Sequence, residues 1–293
     1  MTAFGERLAD RVRAVGNFGC VGLDPFLDRV PGVARGMSAD EAAAAVGRFC
    51  RTVIEVVAPL VPVVKPQSAL FEQLGAPGLA VLADVVHQAR DAGLVVIVDG
   101  KRGDIGSTAE AYAVAQLDDV GPLGADAATV SPYLGPESLM PYERRLPAGK
   151  GLFVLVRTSN PGAGPWQVDT GIAEAVAAHV AARCLPAGGA DSAALGSVGA
   201  VVAATLPAAE VAHWRQRMPN SWFLVPGFGA QGAGPAEVRP HVRADGLGAL
   251  ISSSREVLFG SGPPDDAADP GRVADRVAER ARAFVAAIRT ISA

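Results

Sequence analysis

Eight short apolar runs, each leading through small or polar residues into an Ala-rich amphipathic stretch, constrain the fold of this chain more than any other feature. They cover residues 19–24, 61–65, 94–101, 127–132, 151–157, 199–205, 222–226 and 249–253 and are rich in Val, Ile and Leu. Such alternation is the pattern of a parallel β/α fold. Helices are predicted over 39–57, 69–92, 107–119, a short stretch near 136–146, 171–183, 207–217, 235–242 and 270–288. The last carries Val273, Val277, Ala281, Phe284, Val285 and Ile288 as an apolar stripe at helical spacing. Eight strands predict an α/β chain closed into a (β/α)8 TIM barrel, a single domain over residues 1–293. A doubly wound open sheet is the alternative, but it ordinarily has fewer strands and a Gly-rich fingerprint after the first. The first run here leads instead into Gly22-Leu23-Asp24-Pro25.

Composition narrows the interior and the partners. Hydrophobic residues make up 49% of the chain and aromatics 5%, so a core of Ala, Val and Leu is expected. The net charge of -4 provides no whole-protein field for nucleic acid or an anionic membrane, and an anionic substrate must be caught by local groups. Cys20, Cys50 and Cys184 are odd in number, far apart and in no CxxC pair, which argues against disulfides or a zinc site and for a cytoplasmic setting. Glu6, Arg7, Asp10, Arg11 and Arg13 interrupt the N-terminal segment where a signal peptide needs an apolar run. The uncharged stretch 192–209 is broken by glycines and a proline, and is expected as a loop, a buried strand and a turn rather than a membrane span. Residues 184–196 and 259–272 read as surface loops.

Charge arrives abruptly at the end of the third run, where Asp99, Gly100, Lys101, Arg102, Gly103 and Asp104 follow five apolar residues. Side chains i and i+2 share a strand face, so Asp99 and Lys101 are expected to project together into the barrel near its C-terminal mouth, where such barrels place chemistry. Lys65 ends the neighbouring run at equivalent height. A stabilising ion network is the structural alternative, but desolvation roughly cancels the attraction of buried pairs, so several charges on adjacent strand ends favour function. Arg102 is expected in a surface or interface ion pair. His87, His179, His213 and His241 fall in predicted helices, no metal-ligand spacing appears, and the GxSxG elbow of hydrolases is absent.

DGKRGDIGSTAEAYA, with KPQSALFE upstream and LVRTSNPGA downstream, resembles the orotidine 5'-phosphate decarboxylases, in particular their longer bacterial branch, type 2. The resemblance runs from GLDP at residues 22–25 through PGFGAQG at 226–232 to Arg255. It implies a cofactor-free and metal-free lyase that converts orotidine 5'-phosphate to UMP and CO2, the last step of de novo UMP biosynthesis. It places an array of Lys65, Asp99, Lys101 and Asp104 around the reacting carbon, with Asp99 against the scissile carboxylate and Lys101 as proton donor to C6. It further implies a homodimer with shared sites, in which Asp104, Ile105 and Thr108 come from the second chain. Asp24 would bind the ribose, Ser159 the pyrimidine edge, and Gly229, Gln231, Ser254 and Arg255 the phosphate. Ser254 departs from the pattern, since many relatives carry Gly there. Mg2+-dependent sugar-phosphate lyases of the same superfamily share the Asp-x-Lys, but would need a carboxylate where this chain has Lys65. A non-catalytic phosphate-binding barrel would be signalled by loss of an array member, and all four are present.

Overall fold

The computed structural model describes residues 2–184, 194–229, 232–260 and 270–291. Eight parallel strands close in chain order into a barrel: β1 (Gly19–Leu23), β2 (Val63–Pro66), β3 (Val95–Arg102), β4 (Ala127–Val130), β5 (Gly151–Arg157), β6 (Val198–Val202), β7 (Phe223–Pro226) and β8 (Ala249–Ser253). Closure is made where β1 pairs with β8, Gly19 opposite Ile251 and Val21 opposite Ser253. The eight predicted runs are these eight strands, and the (β/α)8 barrel expected from them is the fold observed. β1, β2, β4, β6 and β8 are buried at every position, which is why no polar alternation shows in their sequences.

The helices are α1 (Phe4–Val15), α2 (Ala39–Val57), α3 (Ser68–Glu72), α4 (Gly75–Asp91), α5 (Gly106–Leu117), α6 (Met140–Glu143), α7 (Ile172–Arg183), α8 (Ala208–Arg217), α9 (Pro235–Val238), α10 (Arg255–Phe259) and α11 (Pro270–Arg289). α2 begins on a capping box: the Ser38 hydroxyl accepts from the Glu41 amide, and the Glu41 carboxylate accepts from the Ser38 amide. The single helix predicted over 69–92 is two helices, because Gly75 takes a left-handed conformation (φ 65) that ends one and starts the other. The predicted 171–183 helix is α7, with Gly171 as its left-handed N-cap. The loops predicted over 184–196 and 259–272 lie largely outside the described residues.

α1, for which the sequence gives no strand-helix cue, packs across the starts of the strands. Its Phe4 ring meets Phe153 edge-on at 6.1 Å, and a Cβ on Gly151 would lie 2.3 Å from the Phe4 ring, so glycine is required where β5 begins. The Trp222 indole donates to the Gly5 carbonyl at 3.3 Å. Nearby, Arg215 donates to the carbonyls of Met218, Ser221, His241 and Gly248 and lies over the Phe223 ring at 3.6 Å, joining the turns that feed β7 and β8. No described helix is long and apolar enough to cross a membrane. The three cysteines are free and buried, and burial pushes the Cys20 thiol up to about 12, where it is chemically inert.

His241 is wholly buried, its Nε2 at 3.1 Å from the Ala203 carbonyl, and burial pushes its pKa down to about 4. The unfolded chain, with an ordinary imidazole near 6.5, therefore binds more protons between those values, and stability rises with pH across that window. This residue should contribute about 3 kcal/mol of stability that is present above pH 6.5 and lost as pH falls towards 4. Urea unfolding at several pH values should show a flatter slope in His241→Gln over that range; an identical slope would remove His241 as its source.

Candidate active site

The Lys65 ammonium, at the end of β2, donates to Asp99 Oδ2 at 2.6 Å, and the Lys101 ammonium donates to Asp99 Oδ1 at 2.5 Å. Two more donors complete the carboxylate: Gln67 Nε2 to Oδ2 at 3.3 Å, and Thr129 Oγ1 to Oδ1 at 2.8 Å. A carboxylate offers about four lone-pair sites, so Asp99 is saturated while buried. Burial alone would raise the Asp99 pKa, but the charges of Lys65 and Lys101, with their hydrogen bonds, hold it well below the usual carboxylate range. Burial would likewise lower the Lys65 pKa, and the charge of Asp99, with Asp24 behind it, raises it above the ordinary lysine value instead. Both groups are therefore ionised at neutral pH, with one ammonium on each oxygen of Asp99 and a second carboxylate, Asp24, near Lys65.

The expectation that Lys101 sits on an extended strand two residues beyond Asp99 is corrected in detail. Among the described residues Lys101 is the one non-glycine with positive φ (46), and the β3–β4 register shifts between Val98 and Arg102. The backbone bulges here and rejoins the sheet at Arg102, opposite Val130, and the lysine side chain, 42% exposed, curls back onto Asp99. The Lys101 amide donates to Thr129 Oγ1 at 3.1 Å, so one hydroxyl on β4 holds both the turned backbone and the carboxylate. Thr129 and Gln67 were not singled out by sequence reasoning. A threonine in an apolar strand reads as β propensity, although KPQ placed Gln67 two residues past Lys65, on its face of the chain.

Lys65, Asp99, Lys101 and Thr129 form the polar floor of a cavity of about 420 Å³ at the C-terminal mouth. Thr158, Ser159, Asn160 and Gln167 line it above, and Leu155, Val201, Leu224 and Pro226 make an apolar wall. Ser159 is thus where the resemblance places it, on the loop after β5.

On the β1–β8 side, Asp24 carries an Oδ1 that is shut off from water and has no hydrogen-bond partner. Ser254 has φ −118, outside the left-handed region, so a side chain here carries no left-handed strain. Its hydroxyl occupies the space above Gly22, where a Cβ would lie 2.0 Å from Ser254 Oγ and 3.1 Å from Asp24 Oδ1. Gly227 and Gly229, both with positive φ (114 and 73), turn the chain after β7. Arg255 opens α10 with an exposed side chain. Gln231 lies outside the described residues.

Asp104, Ile105 and Thr108 are not brought to Asp99. The Asp104 carboxylate accepts from the Ile105 amide at 2.8 Å, Ile105 is 53% exposed, and Thr108 is exposed on the first turn of α5. Arg102 pairs with Glu72 and lies over the Tyr112 ring, away from the cavity. Among the described residues no three His, Cys, Asp or Glu side chains are grouped to hold a metal.

A family model described as Orotidine 5'-phosphate decarboxylase / HUMPS family matches residues 20–269. An orotidine 5'-phosphate decarboxylase of Rhodopirellula baltica is 46% identical over 88% of this chain and 89% of its own length, and one of Salinispora tropica is 44% identical over 97% and 98%. The crystal structure of a candidate orotidine 5'-phosphate decarboxylase from Streptomyces avermitilis superposes with a TM-score of 0.77 at 43% identity, covering 98% of this chain and 97% of that one.

Thr129→Val keeps the shape of the side chain and removes the hydroxyl that bridges the Lys101 amide to Asp99. Leaving those groups short of a partner should cost about 1–3 kcal/mol, read from the urea midpoint at unchanged slope. A midpoint equal to that of the unaltered protein would show that water replaces the hydroxyl freely.

Proposed function

The chain belongs to the orotidine 5'-phosphate decarboxylase / HUMPS family, and from that premise we propose that it decarboxylates orotidine 5'-phosphate to UMP and CO2, completing de novo UMP synthesis. The observation that carries this reading is the saturated Asp99 carboxylate on the cavity floor, ionised and flanked by two ammoniums. The ammoniums of Lys65 and Lys101 receive an anionic nucleotide, yet its own carboxylate comes to rest beside an aspartate that cannot take up a proton to relieve the clash. Two unit charges about 4 Å apart repel by roughly 4 kcal/mol at an effective dielectric of 20. Loss of CO2 removes that repulsion and leaves an electron pair at C6. Lys101, on its turned backbone and half in solvent, stabilises the pair and donates a proton to it, the C–C bonding electrons ending in the new C–H bond. Lys65, more deeply buried, keeps Asp99 fixed and reaches towards the ribose. Asp24, at the end of β1, takes a ribose hydroxyl.

Ser159 reads the pyrimidine edge from above. Gly229, Gln231, Ser254 and Arg255 hold the phosphate, for which the fork of an unburied arginine beside glycine-turned backbone is suited. Asp104, Ile105 and Thr108 complete the array from the second chain of a homodimer. Supporting this, Ile105 and Tyr112 are 53% and 36% exposed, and the Asp104 carboxylate accepts only from the Ile105 amide among the described residues. Three free buried thiols suit a cytoplasmic enzyme.

A Mg2+-dependent sugar-phosphate lyase would need Asp99 and a second carboxylate to face the metal. Here both Asp99 oxygens are already taken by nitrogen and hydroxyl donors, and the end of β2 presents an ammonium. Ultraviolet assay of orotidine 5'-phosphate with EDTA present should show full turnover; dependence on added metal would defeat the reading. Lys101→Ala should lose turnover by on the order of a thousandfold or more while still binding UMP, which would also set aside a merely ligand-binding barrel. Near-normal turnover in that variant would remove Lys101 as the proton donor.

A further inference from the structure

The loop that carries Ser159 is held at its root by a residue that no part of the mechanism above uses. Residues Gly164–Val168 form a single π-helical turn, closed by the Asp169 amide donating to the Gly164 carbonyl at 3.1 Å. Such i→i+5 turns are rare and concentrate at functional sites. This one presents Gln167 inward, where its side chain lines the same cavity as Lys65, Asp99 and Lys101. The amide pairs with Thr158 twice: Oε1 accepts from the Thr158 N–H at 2.9 Å, and Nε2 donates to Thr158 Oγ1 at 2.8 Å. Thr158 Oγ1, its lone pair occupied by Gln167, turns its own proton to Asn160 Oδ1 at 2.6 Å. From the other side Arg157, fixed by Glu210 at 2.7 Å, donates to the Thr158 carbonyl at 2.8 Å. Every polar group of residue 158 is thereby engaged, and the exposed Ser159 and Asn160 leave it in a set direction over the cavity.

The turn is itself anchored to a neighbouring strand. Trp166, one residue before Gln167, meets Tyr133 at 6.0 Å and 62°, and Tyr133 lies just beyond β4, the strand that supplies Thr129. Fork-shaped pairing of this kind needs a side chain with donor and acceptor next to each other, which glutamine has and glutamate lacks.

We propose that Gln167 is a positioning residue for base recognition: it locks Thr158 so that Ser159 and Asn160 stand over the cavity at the height of a pyrimidine ring. The inference rests on the nucleotide reading of the site and concerns the base alone, leaving the phosphate and ribose contacts on the β1–β8 side untouched.

The test compares two ligands by calorimetry, UMP and ribose 5-phosphate, which differ by the base. Gln167→Ala removes two hydrogen bonds and should weaken UMP about ten- to hundredfold while ribose 5-phosphate changes less than about twofold. Gln167→Glu keeps the acceptor for the Thr158 amide but draws the Thr158 hydroxyl away from Asn160, and should fall between the two; it also serves if the alanine variant folds poorly. In turnover, KM for orotidine 5'-phosphate should rise more than kcat falls. Equal losses on both ligands, or no loss on either, would overturn the clamp. If the unaltered protein bound UMP no better than ribose 5-phosphate, the nucleotide reading would fail and this inference with it.

Discussion

The mouth of this barrel is organised around one carboxylate that four donors keep charged. Asp99 receives them from three strands and the segment after one of them: Lys65 on β2, Gln67 just beyond it, Lys101 on its own strand and Thr129 on β4. Taking a charge out of water is costly, and a buried ion pair seldom repays that cost in stability. The barrel beneath supplies what the mouth does not, with strands that are apolar at nearly every position and a Phe4-capped base. Stability and chemistry are thus separated along the strand axis.

The same division explains the turn at Lys101. Left-handed backbone costs a non-glycine residue on the order of 1–2 kcal/mol, and here the sheet's hydrogen-bond register breaks at that point. Continued extension would have left the ammonium fixed along the strand wall. At the bulge it keeps its bond to Asp99 and lines the cavity together with Thr129. Thr129 stabilises this arrangement by accepting from the turned amide and donating to the carboxylate.

Much of this was legible in the amino-acid sequence, because parallel strands covered on both faces leave uninterrupted Val, Ile and Leu runs and their ends are marked by charge. β8 was bounded to the residue, and Lys65 and Asp99 were placed together from strand ends alone. What stayed hidden depends on backbone departures from regularity. The bulge at Lys101, the left-handed break at Gly75 and the π turn at Gln167 each hinge on a single residue's conformation, which apolar periodicity does not encode. Thr129 was missed for a different reason, since its hydroxyl matters through what lies opposite it on β3. α1 follows no apolar run, so its acidic and basic amphipathic start carries no cue that it packs against strand starts.

Closure of the barrel joins residues that lie more than two hundred positions apart: Gly22 yields its side-chain volume to the Ser254 hydroxyl, next to Asp24, at the β1–β8 seam. A chain emerging from the ribosome makes Asp24, Lys65, Asp99 and Lys101 early, but its last strand appears only when nearly the whole polypeptide has been synthesised. Until then the first strand has an open hydrogen-bonding edge, and Gly22 and Asp24 lack the Ser254 hydroxyl that packs against them. Closure therefore arrives late and all at once, as a property of the finished ring rather than of any growing portion of it.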